Sequence, residues 1–194
     1  MDKLKNKNII GGFSLVELVV TIGIFAIISS IILLNYPNFR DKMSLNKEVV
    51  NIVSNIRTAQ VYSLGTKQHG SFSIIDIKGY GVNFNTANPK QYQIFLDLTS
   101  SNNRIYNNTG IGEEVGSAIQ ITTTNKISSL KCNGVPCNNN EVNIFYSRPY
   151  VNAFISNDGT NFYDYVEIEV QSTSNSSLKK NIKVSKTTGH VEVY

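Results

Sequence analysis

The hydrophobic and polar positions change period twice along the chain, and each change marks a different kind of structure. Residues 13–34 (FSLVELVVTIGIFAIISSIILL) are almost wholly apolar and contain one ionisable side chain, Glu17. As an α-helix this run would be about 33 Å long, enough to cross a hydrocarbon core of about 30 Å. The pattern therefore predicts a membrane-spanning helix over residues 13–34.

Beyond Asn35-Tyr36-Pro37 the apolar residues recur at steps of four, three, four and three, which places them on one face of a helix. This stripe consists of Leu45, Val49, Ile52, Ile56 and Ala59. The positions predicted to lie off the face are Lys47, Glu48, Asn51 and Arg57. We expect Pro37 to kink the helix or end it nearby, and Gly65 to stop it. Residues 35–64 are thus predicted as an amphipathic continuation that packs on a globular head.

After residue 70 the period changes to two, and runs rich in Val, Ile, Tyr and Phe alternate with clusters of Asn, Gly, Ser and Thr. The predicted strands are 71–75, 80–84, 92–96, 118–122, 142–147, 151–155, 163–170, 181–185 and 190–194. Short strands separated by turn residues favour an antiparallel sandwich or open sheets. The prediction is an α+β protein, with a long N-terminal helix packed on an antiparallel β-sandwich-like head over 65–194.

The N-terminal arm accounts for half of the net charge of +4. Residues 1–12 carry three lysines against Asp2, and the other 182 residues are also only +2. Basic residues before an apolar run keep the N-terminus cytoplasmic, so the rest of the chain is predicted to be exported. Hydrophobic residues make up 41% of the chain and charged residues only 16%. This composition excludes a charge-driven disordered protein.

A secretory signal peptide is the alternative explanation of the apolar run. The run is longer than an h-region of about 7–15 residues, and Ser29-Ser30-Ile31 is a poor cleavage site. A carboxylate in a bilayer is unfavourable by about 2.5 kcal/mol or more, so Glu17 indicates a function or a partner cation. These features favour a helix that is retained.

The N-terminal residues also resemble a known signal. A basic leader (MDKLKNKNIIGG) ends at Gly12; Phe13, Ser14-Leu15-Val16 and Glu17 follow, and then the apolar helix. This combination resembles the class III signal of type IV pilins and type II secretion pseudopilins. The resemblance implies that residues 1–12 are a leader peptide. It also implies that a membrane-embedded aspartyl prepilin peptidase cuts between Gly12 and Phe13 and N-methylates Phe13.

The same resemblance implies how the subunit assembles. Glu17 would pair with the N-terminal ammonium of a neighbouring subunit, and such pairing makes two buried charges tolerable and sets a register between helices. The implied partners are the prepilin peptidase, other pilins or pseudopilins and the assembly platform of the bacterial inner membrane. The head would be exported, and the subunit would move from the membrane into an extracytoplasmic filament.

Parts of the head resemble one subgroup, the GspH/FimT group of minor pilins and pseudopilins. The similar segments are residues 55–60, 153–160, 182–185 and 189–191. His190 stands where that group often has an arginine. The resemblance implies a subunit that primes a filament or forms its tip.

Cys132 and Cys137 (CNGVPC) are the only cysteines of the chain. In an exported head an even pair at this spacing favours a small disulfide loop. Free thiols and a metal site remain alternatives. The metal site would need His69 and His190 as further ligands, and a structural zinc site requires four well-placed ligands.

The remaining residues favour neither a metal nor catalysis. Asp158-Gly159 predicts a hairpin turn, with a calcium site there or near Asp97, Glu113 and Glu114 as the lesser alternative. No hydrolase, metalloprotease, P-loop or dinucleotide motif occurs, and nothing orients Cys132 with a histidine. We therefore expect no enzyme activity, no catalytic residues and no cofactor or metal.

A competence-pilus subunit whose head binds DNA is the alternative function. DNA binding requires clustered basic residues, and the mature chain would be only +2. The candidate basic stripe is Lys179, Lys180, Lys183 and Lys186. A solvated strand face explains these lysines equally well, and the low net charge counts against nucleic acid as a partner.

Overall fold

The computed structural model describes residues 12–65, 76–98, 103–106, 115–148 and 152–194, excluding the side chains of residues 34 and 35. Within these residues the chain forms one long helix, α1 (Leu15–Leu64), a short 3-10 helix (Asn138–Asn140) and eleven strands. The strands are β1 (Ile77–Asn85), β2 (Gln91–Leu98), β3 (Ile119–Gln120), β4 (Asn125–Cys132), β5 (Val135–Pro136), β6 (Glu141–Ser147), β7 (Ala153–Ser156), β8 (Phe162–Tyr163), β9 (Tyr165–Ser172), β10 (Lys179–Ser185) and β11 (Val191–Val193). The chain divides into two compact units, Met1–Arg40 and Asp41–Tyr194.

Helix α1 passes through Pro37 without ending there, so the expected interruption at residues 35–37 does not occur as a break. A proline removes one backbone hydrogen bond, while the turns on either side keep theirs. The helix ends at Leu64, as Gly65 predicted, and the Gly65 N–H donates to the carbonyl of Val61 at 2.7 Å.

The strands form two antiparallel sheets. Sheet 1 has the order β3-β2-β1-β6-β7-β8, and sheet 2 has the order β11-β10-β9-β4-β5. Every strand pairing among the described residues is antiparallel. Helix residues from position 41 onward belong to the same compact unit as the sheets. An α+β architecture with a helix packed on antiparallel sheets is thus confirmed.

One hydrophobic core joins the helix to both sheets. All five residues of the predicted stripe are buried: Leu45, Val49, Ile52, Ile56 and Ala59. They belong to one cluster with the inward residues of sheet 1, such as Tyr80 and Ile144, and of sheet 2, such as Ile168 and Val184. Burial of each Leu, Val or Ile side chain of the stripe contributes about 1.5–3 kcal/mol, which explains why this part of the helix belongs to the head.

Glu48 corrects one prediction, because this side chain is buried rather than on the solvent face. Its Oε2 accepts a hydrogen bond from the Thr123 hydroxyl at 3.0 Å. Asn125 Nδ2 donates to that hydroxyl at 2.8 Å and to Ser44 Oγ at 3.0 Å. A buried carboxylate is tolerable when it is hydrogen-bonded, so a polar seam accompanies the apolar stripe along the helix.

The two sheets differ in how they are buried. β9 alternates strictly between buried and half-buried residues, which shows that one face of sheet 2 meets the core and the other meets solvent. In sheet 1, seven consecutive residues of β2 and five of β6 are buried. The second face of sheet 1 carries Phe95 and Phe145, whose rings stack at 6.2 Å, and Tyr106 packs on Phe95.

Strand β4 was not predicted from the sequence although it pairs with β9 in sheet 2. The register shifts between Ile127 and Ser129, so that the buried positions fall at 125, 127, 130 and 132. This β-bulge adds one residue to β4 and so interrupts the alternation of buried and exposed positions. That alternation is the pattern from which a strand is predicted. The expected strand 163–170 is divided into β8 and β9, and 118–122 shortens to β3. The expected strand 71–75 lies outside the described residues.

Candidate functional site

The predicted cleavage site lies in non-helical backbone just before α1. Residues 12–14 have no regular structure, and helix α1 begins at Leu15. Among the described residues nothing approaches within 4 Å of the position where a Cβ of Gly12 would stand, and Phe13 is 79% exposed. The bond between them is therefore sterically accessible to a peptidase. The basic arm with Lys3, Lys5 and Lys7 lies outside the described residues.

Glu17 lies in the first turn of α1, where the helix presents unpaired backbone N–H groups. The Ser14 carbonyl accepts the N–H of Leu18 at 3.1 Å, so Ser14 occupies the N-cap position. A carboxylate in the first turn interacts favourably with the positive end of the helix dipole. The Ser14–Glu17 spacing is also that of a capping box. Glu17 therefore stands at the end of the helix nearest the predicted new N-terminus.

The apolar part of α1 buries almost nothing against the rest of its unit. The window Leu15–Leu33 has a mean hydropathy of 2.5, and none of it is buried. By length and composition it is long and apolar enough to cross a membrane, and it is the one such helix in the described part of the chain. An apolar surface of this size requires lipid or another protein to cover it.

Cys132 and Cys137 are joined by a disulfide bond, with their Cα atoms 5.0 Å apart. The bond staples the β4–β5 hairpin, whose turn is Asn133-Gly134, and both cysteines are buried. Asn133 and Gly134 have φ of 51° and 84°, the left-handed conformation in which these two residue types are favoured. Asn133 Oδ1 accepts the backbone N–H groups of Asp164 and Tyr165, which ties the hairpin to the start of β9.

The outer face of sheet 2 carries alternating charges rather than a basic stripe. Register places Lys131, Glu167, Lys183 and Glu192 in one row across β4, β9, β10 and β11. Lys179 and Glu169 form an ion pair at 3.0 Å, and Lys183 Nζ lies 4.3 Å from the centre of the Tyr165 ring.

The four lysines proposed as a stripe do not share one face. Lys180 alternates with Lys179 and Lys183 along β10, and Lys186 follows in the turn after the strand. Burial alone would raise the pKa of Glu169, but hydrogen bonds from Ser128 and Lys179 lower it below its usual value. The face is therefore close to neutral and weakly attractive to a polyanion.

Asp158 lies in a turn between β7 and β8 and is committed to local hydrogen bonds. Its Oδ1 accepts the backbone N–H groups of Asn161 at 2.8 Å and Thr160 at 2.9 Å, and Oδ2 accepts Asn161 Nδ2. These bonds hold the pKa of Asp158 well below its usual range. β7 and β8 pair antiparallel, so this loop is the turn of a hairpin, as Asp158-Gly159 predicted.

The other candidate ligands do not converge. Asp97 is buried and accepts the backbone N–H of Arg104 at 3.2 Å. His190 is exposed, with its Nε2 3.5 Å from Glu192 Oε1. His69, Glu113 and Glu114 lie outside the described residues. In the part of the chain that the structure describes, no three His, Cys, Asp or Glu residues come together as a metal site would require.

Comparison of the chain with protein-family models, with curated proteins and with solved structures found no match. Its function is therefore argued from its own residues.

Proposed function

We propose that this protein is a minor pilin or pseudopilin, a structural subunit of a type IV pilus or of a type II secretion-like filament. The observation that carries the proposal is the exposed apolar helix Leu15–Leu33, which starts directly after an accessible Gly12–Phe13 bond. A single carboxylate, Glu17, stands in its first turn. A basic leader, a cleavable junction and this helix together are what the class III prepilin signal requires.

The physical steps follow from the burial of the two parts of the chain. Before assembly the apolar helix is covered by lipid, with the head on the exported side of the membrane. Cleavage after Gly12 creates a new ammonium at Phe13, four residues before Glu17. In the filament the helices cover one another, and the Glu17 carboxylate of one subunit neutralises the ammonium of its neighbour. The pair would be buried, so its geometry would select the stagger between subunits.

The head fits a structural role better than a catalytic one. Its buried core is continuous through both sheets and the helix residues from Leu45 to Ala59, and its hairpin is stapled by the Cys132–Cys137 disulfide. With the cysteines bonded to each other, neither thiol is available as a nucleophile. We take the whole as a pilin fold of the GspH/FimT kind, in which a long helix packs on a β head.

Mass spectrometry of the full chain purified from membranes of a cell that has a prepilin peptidase tests this function. The expected N-terminus is N-methyl-Phe13, with residues 1–12 removed. An intact residue 1, or a cut after residue 28 as for a secretory signal peptide, would contradict the proposal. The matched control is Gly12→Val, in which a side chain at the cleavage position should leave the leader attached while the head folds normally.

The DNA-binding alternative has less support, because lysines and glutamates alternate on the outer face of sheet 2. A gel shift of the full chain in detergent across a salt series tests it. We expect no shift even at low salt. A shift that weakens with salt and is lost on replacing Lys179 and Lys183 by Ala would favour the alternative.

A further inference from the structure

The second face of sheet 1, which points away from the helix, contains a cleft of about 450 Å³. It lies where the ends of β1, β2 and β6 meet, and it falls within the size range of small-molecule sites. Side-chain amides dominate its wall. Its lining includes Asn83, Asn88, Gln91, Gln93, Tyr106 and Glu141.

The register of the strands places the amides in a row beside an aromatic row. Gln93, Asn83 and Asn143 are cross-strand neighbours on β2, β1 and β6. In the row beside them, Phe95 and Phe145 flank Gly81. A Cβ on Gly81 would lie 2.6 Å from the Phe95 ring, so glycine is required for this ring to lie against the sheet. The amide row thus adjoins two fully buried rings, which do not themselves line the cleft.

The amides are held in fixed orientations. Asn83 Nδ2 donates to Glu141 Oε1 at 2.6 Å and to Asn143 Oδ1 at 2.9 Å. Because the Glu141 carboxylate can only accept, the Asn83 amide must turn its nitrogen towards Glu141. The Asn83 carbonyl oxygen is then the atom that can accept a hydrogen bond from a ligand. Gln93 Nε2 donates to the Ile94 and Gly116 carbonyls, which likewise leaves the Gln93 carbonyl oxygen.

Gln91 and Tyr106 complete the wall with a donor and a ring. The carbonyl oxygen of Gln91 accepts Gln120 Nε2 at 3.0 Å, so the amide nitrogen of Gln91 is left as a donor. The Tyr106 backbone N–H donates to Asn143 Oδ1 at 3.1 Å, and its ring packs 6.0 Å from the Phe95 ring. Donors, acceptors and a ring are therefore positioned before any ligand arrives, which reduces the entropy lost on binding.

The charges of the cleft restrict the ligand class. None of the described lining residues is Lys or Arg, so an anion finds no counter-charge. Glu141 is the one carboxylate among the described lining residues, and it already accepts two amide groups, from Asn83 and Asn85. Amides both donate and accept, as hydroxyl groups do, and an aromatic ring offers a surface to C–H groups. We propose that this cleft binds a neutral saccharide.

Saturation-transfer NMR on the full chain tests the proposal, in dodecylphosphocholine because maltoside detergents would compete. The probes are glucose, galactose, mannose, N-acetylglucosamine, lactose, cellobiose and chitobiose. At least one should bind saturably with a Kd of about 1 mM or lower. The double variant Asn88→Ala, Gln91→Ala should weaken that binding about tenfold, as loss of hydrogen-bonding groups predicts. Asn88 is exposed, and its backbone bonds to Asn85 and Gln91 do not need its side chain.

The matched control is Gln171→Ala on the outer face of sheet 2, which should leave the Kd unchanged. Circular dichroism checks the fold of each variant, and Gln93→Ala is the second cleft variant if the double variant unfolds. Absence of saturable binding by all seven sugars at about 10 mM would overturn the proposal. So would an unchanged Kd in the cleft variants, or equally tight binding of glucuronate. These outcomes do not depend on how the N-terminus is processed. Failure of saccharide binding would therefore leave the proposed filament function untouched, and the reverse also holds.

Discussion

Two parts of helix α1 have the same secondary structure and opposite surroundings. From Leu15 to Leu33 none of the apolar window is buried, whereas Leu45, Val49, Ile52, Ile56 and Ala59 are between 0% and 3% exposed. The difference in burial follows from how the apolar residues are spaced along the helix, and not from hydrophobicity alone. An apolar stripe at helical spacing fits one core, while a helix that is apolar all round needs an apolar environment on every side. The first part is therefore built for lipid or other helices, and the second for its own head.

The largest effect that separates the two parts is expected at Glu17. Glu17→Ala should leave a neighbouring ammonium buried without its partner, which is unfavourable by about 3–5 kcal/mol. We expect incorporation into filaments to fall at least tenfold, as measured by immunoblot of sheared filaments, while the thermal midpoint of the head stays unchanged. The matched control is Glu192→Ala, an exposed carboxylate of the head, which should assemble normally. Normal incorporation of Glu17→Ala would disprove the pairing.

The next largest expected effect is a difference in unfolding free energy between two isoleucine variants, one in each part of the helix. Ile52 is 0% exposed and Ile28 is 51% exposed. Ile52→Ala should lower the free energy of unfolding of the head by about 3 kcal/mol, because it removes buried apolar groups and leaves a cavity. Ile28→Ala should change that free energy by less than about 0.5 kcal/mol. Denaturant unfolding in detergent, followed by tyrosine circular dichroism, measures both. Equal losses would mean that both parts of the helix stabilise the head.

The disulfide should affect the stability of the head and not the membrane association of the apolar helix. Replacing Cys132 and Cys137 by Ser opens a six-residue loop, and loop-length scaling predicts a loss of about 2 kcal/mol in unfolding free energy. Association of the chain with lipid vesicles should not change, since the apolar helix is untouched. Val135→Ala, in the same loop and 61% exposed, serves as the control and should have little effect. A change in vesicle association would show that the two regions are coupled.

The smallest expected effect is that of a buried hydroxyl. Burial raises the pKa of Tyr92 to about 12, and Asn55 Nδ2 donates to its hydroxyl at 2.7 Å. Tyr92→Phe should lower the unfolding free energy by about 1 kcal/mol at pH 7, the value of one hydrogen bond. Tyr36→Phe, at an exposed position of the first unit, should change nothing.

The same tyrosine predicts a pH dependence with a definite sign. Because the folded pKa of Tyr92 lies above the unfolded value, its contribution is complete below about pH 10 and is lost as the pH rises towards 12. Burial also raises the pKa of Tyr146, so the head should lose stability over this alkaline range. The decline should be shallower in Tyr92→Phe than in the native chain. An identical decline in both would assign it to other groups.

Local spacing predicted the helix and most of the longer strands of both sheets. The helix stripe and the Gly65 stop follow from local spacing, and β9 and β10 alternate as strands with one solvated face do. β4 was missed because a bulge shifts its buried positions by one residue. Buried Glu48 was misassigned because its partner Thr123 comes from a distant loop.

The candidate sites divide in the same way. Gly12, Phe13 and Glu17 are neighbours in the chain, so the resemblance that implies a processing and assembly signal is visible in one short segment. Asn83 and Glu141 are 58 residues apart, and only strand pairing brings them together. The four lysines near the C-terminus were a candidate stripe, and only register places Glu167 and Glu192 on either side of Lys183. Single-sequence reasoning is reliable where the chemistry is local, because backbone geometry then determines the neighbours.

The sequence by itself determined the period of each segment: an apolar helix, an amphipathic continuation and a strand-rich head with two cysteines. These properties depend on residues within one or two turns of each other. Tertiary structure alone decided which strands pair, that sheet 1 is buried on two faces, and that its amides face one cleft. Those outcomes depend on contacts between residues far apart in the chain. Many pairings satisfy the same local pattern, and packing of the whole core selects one of them.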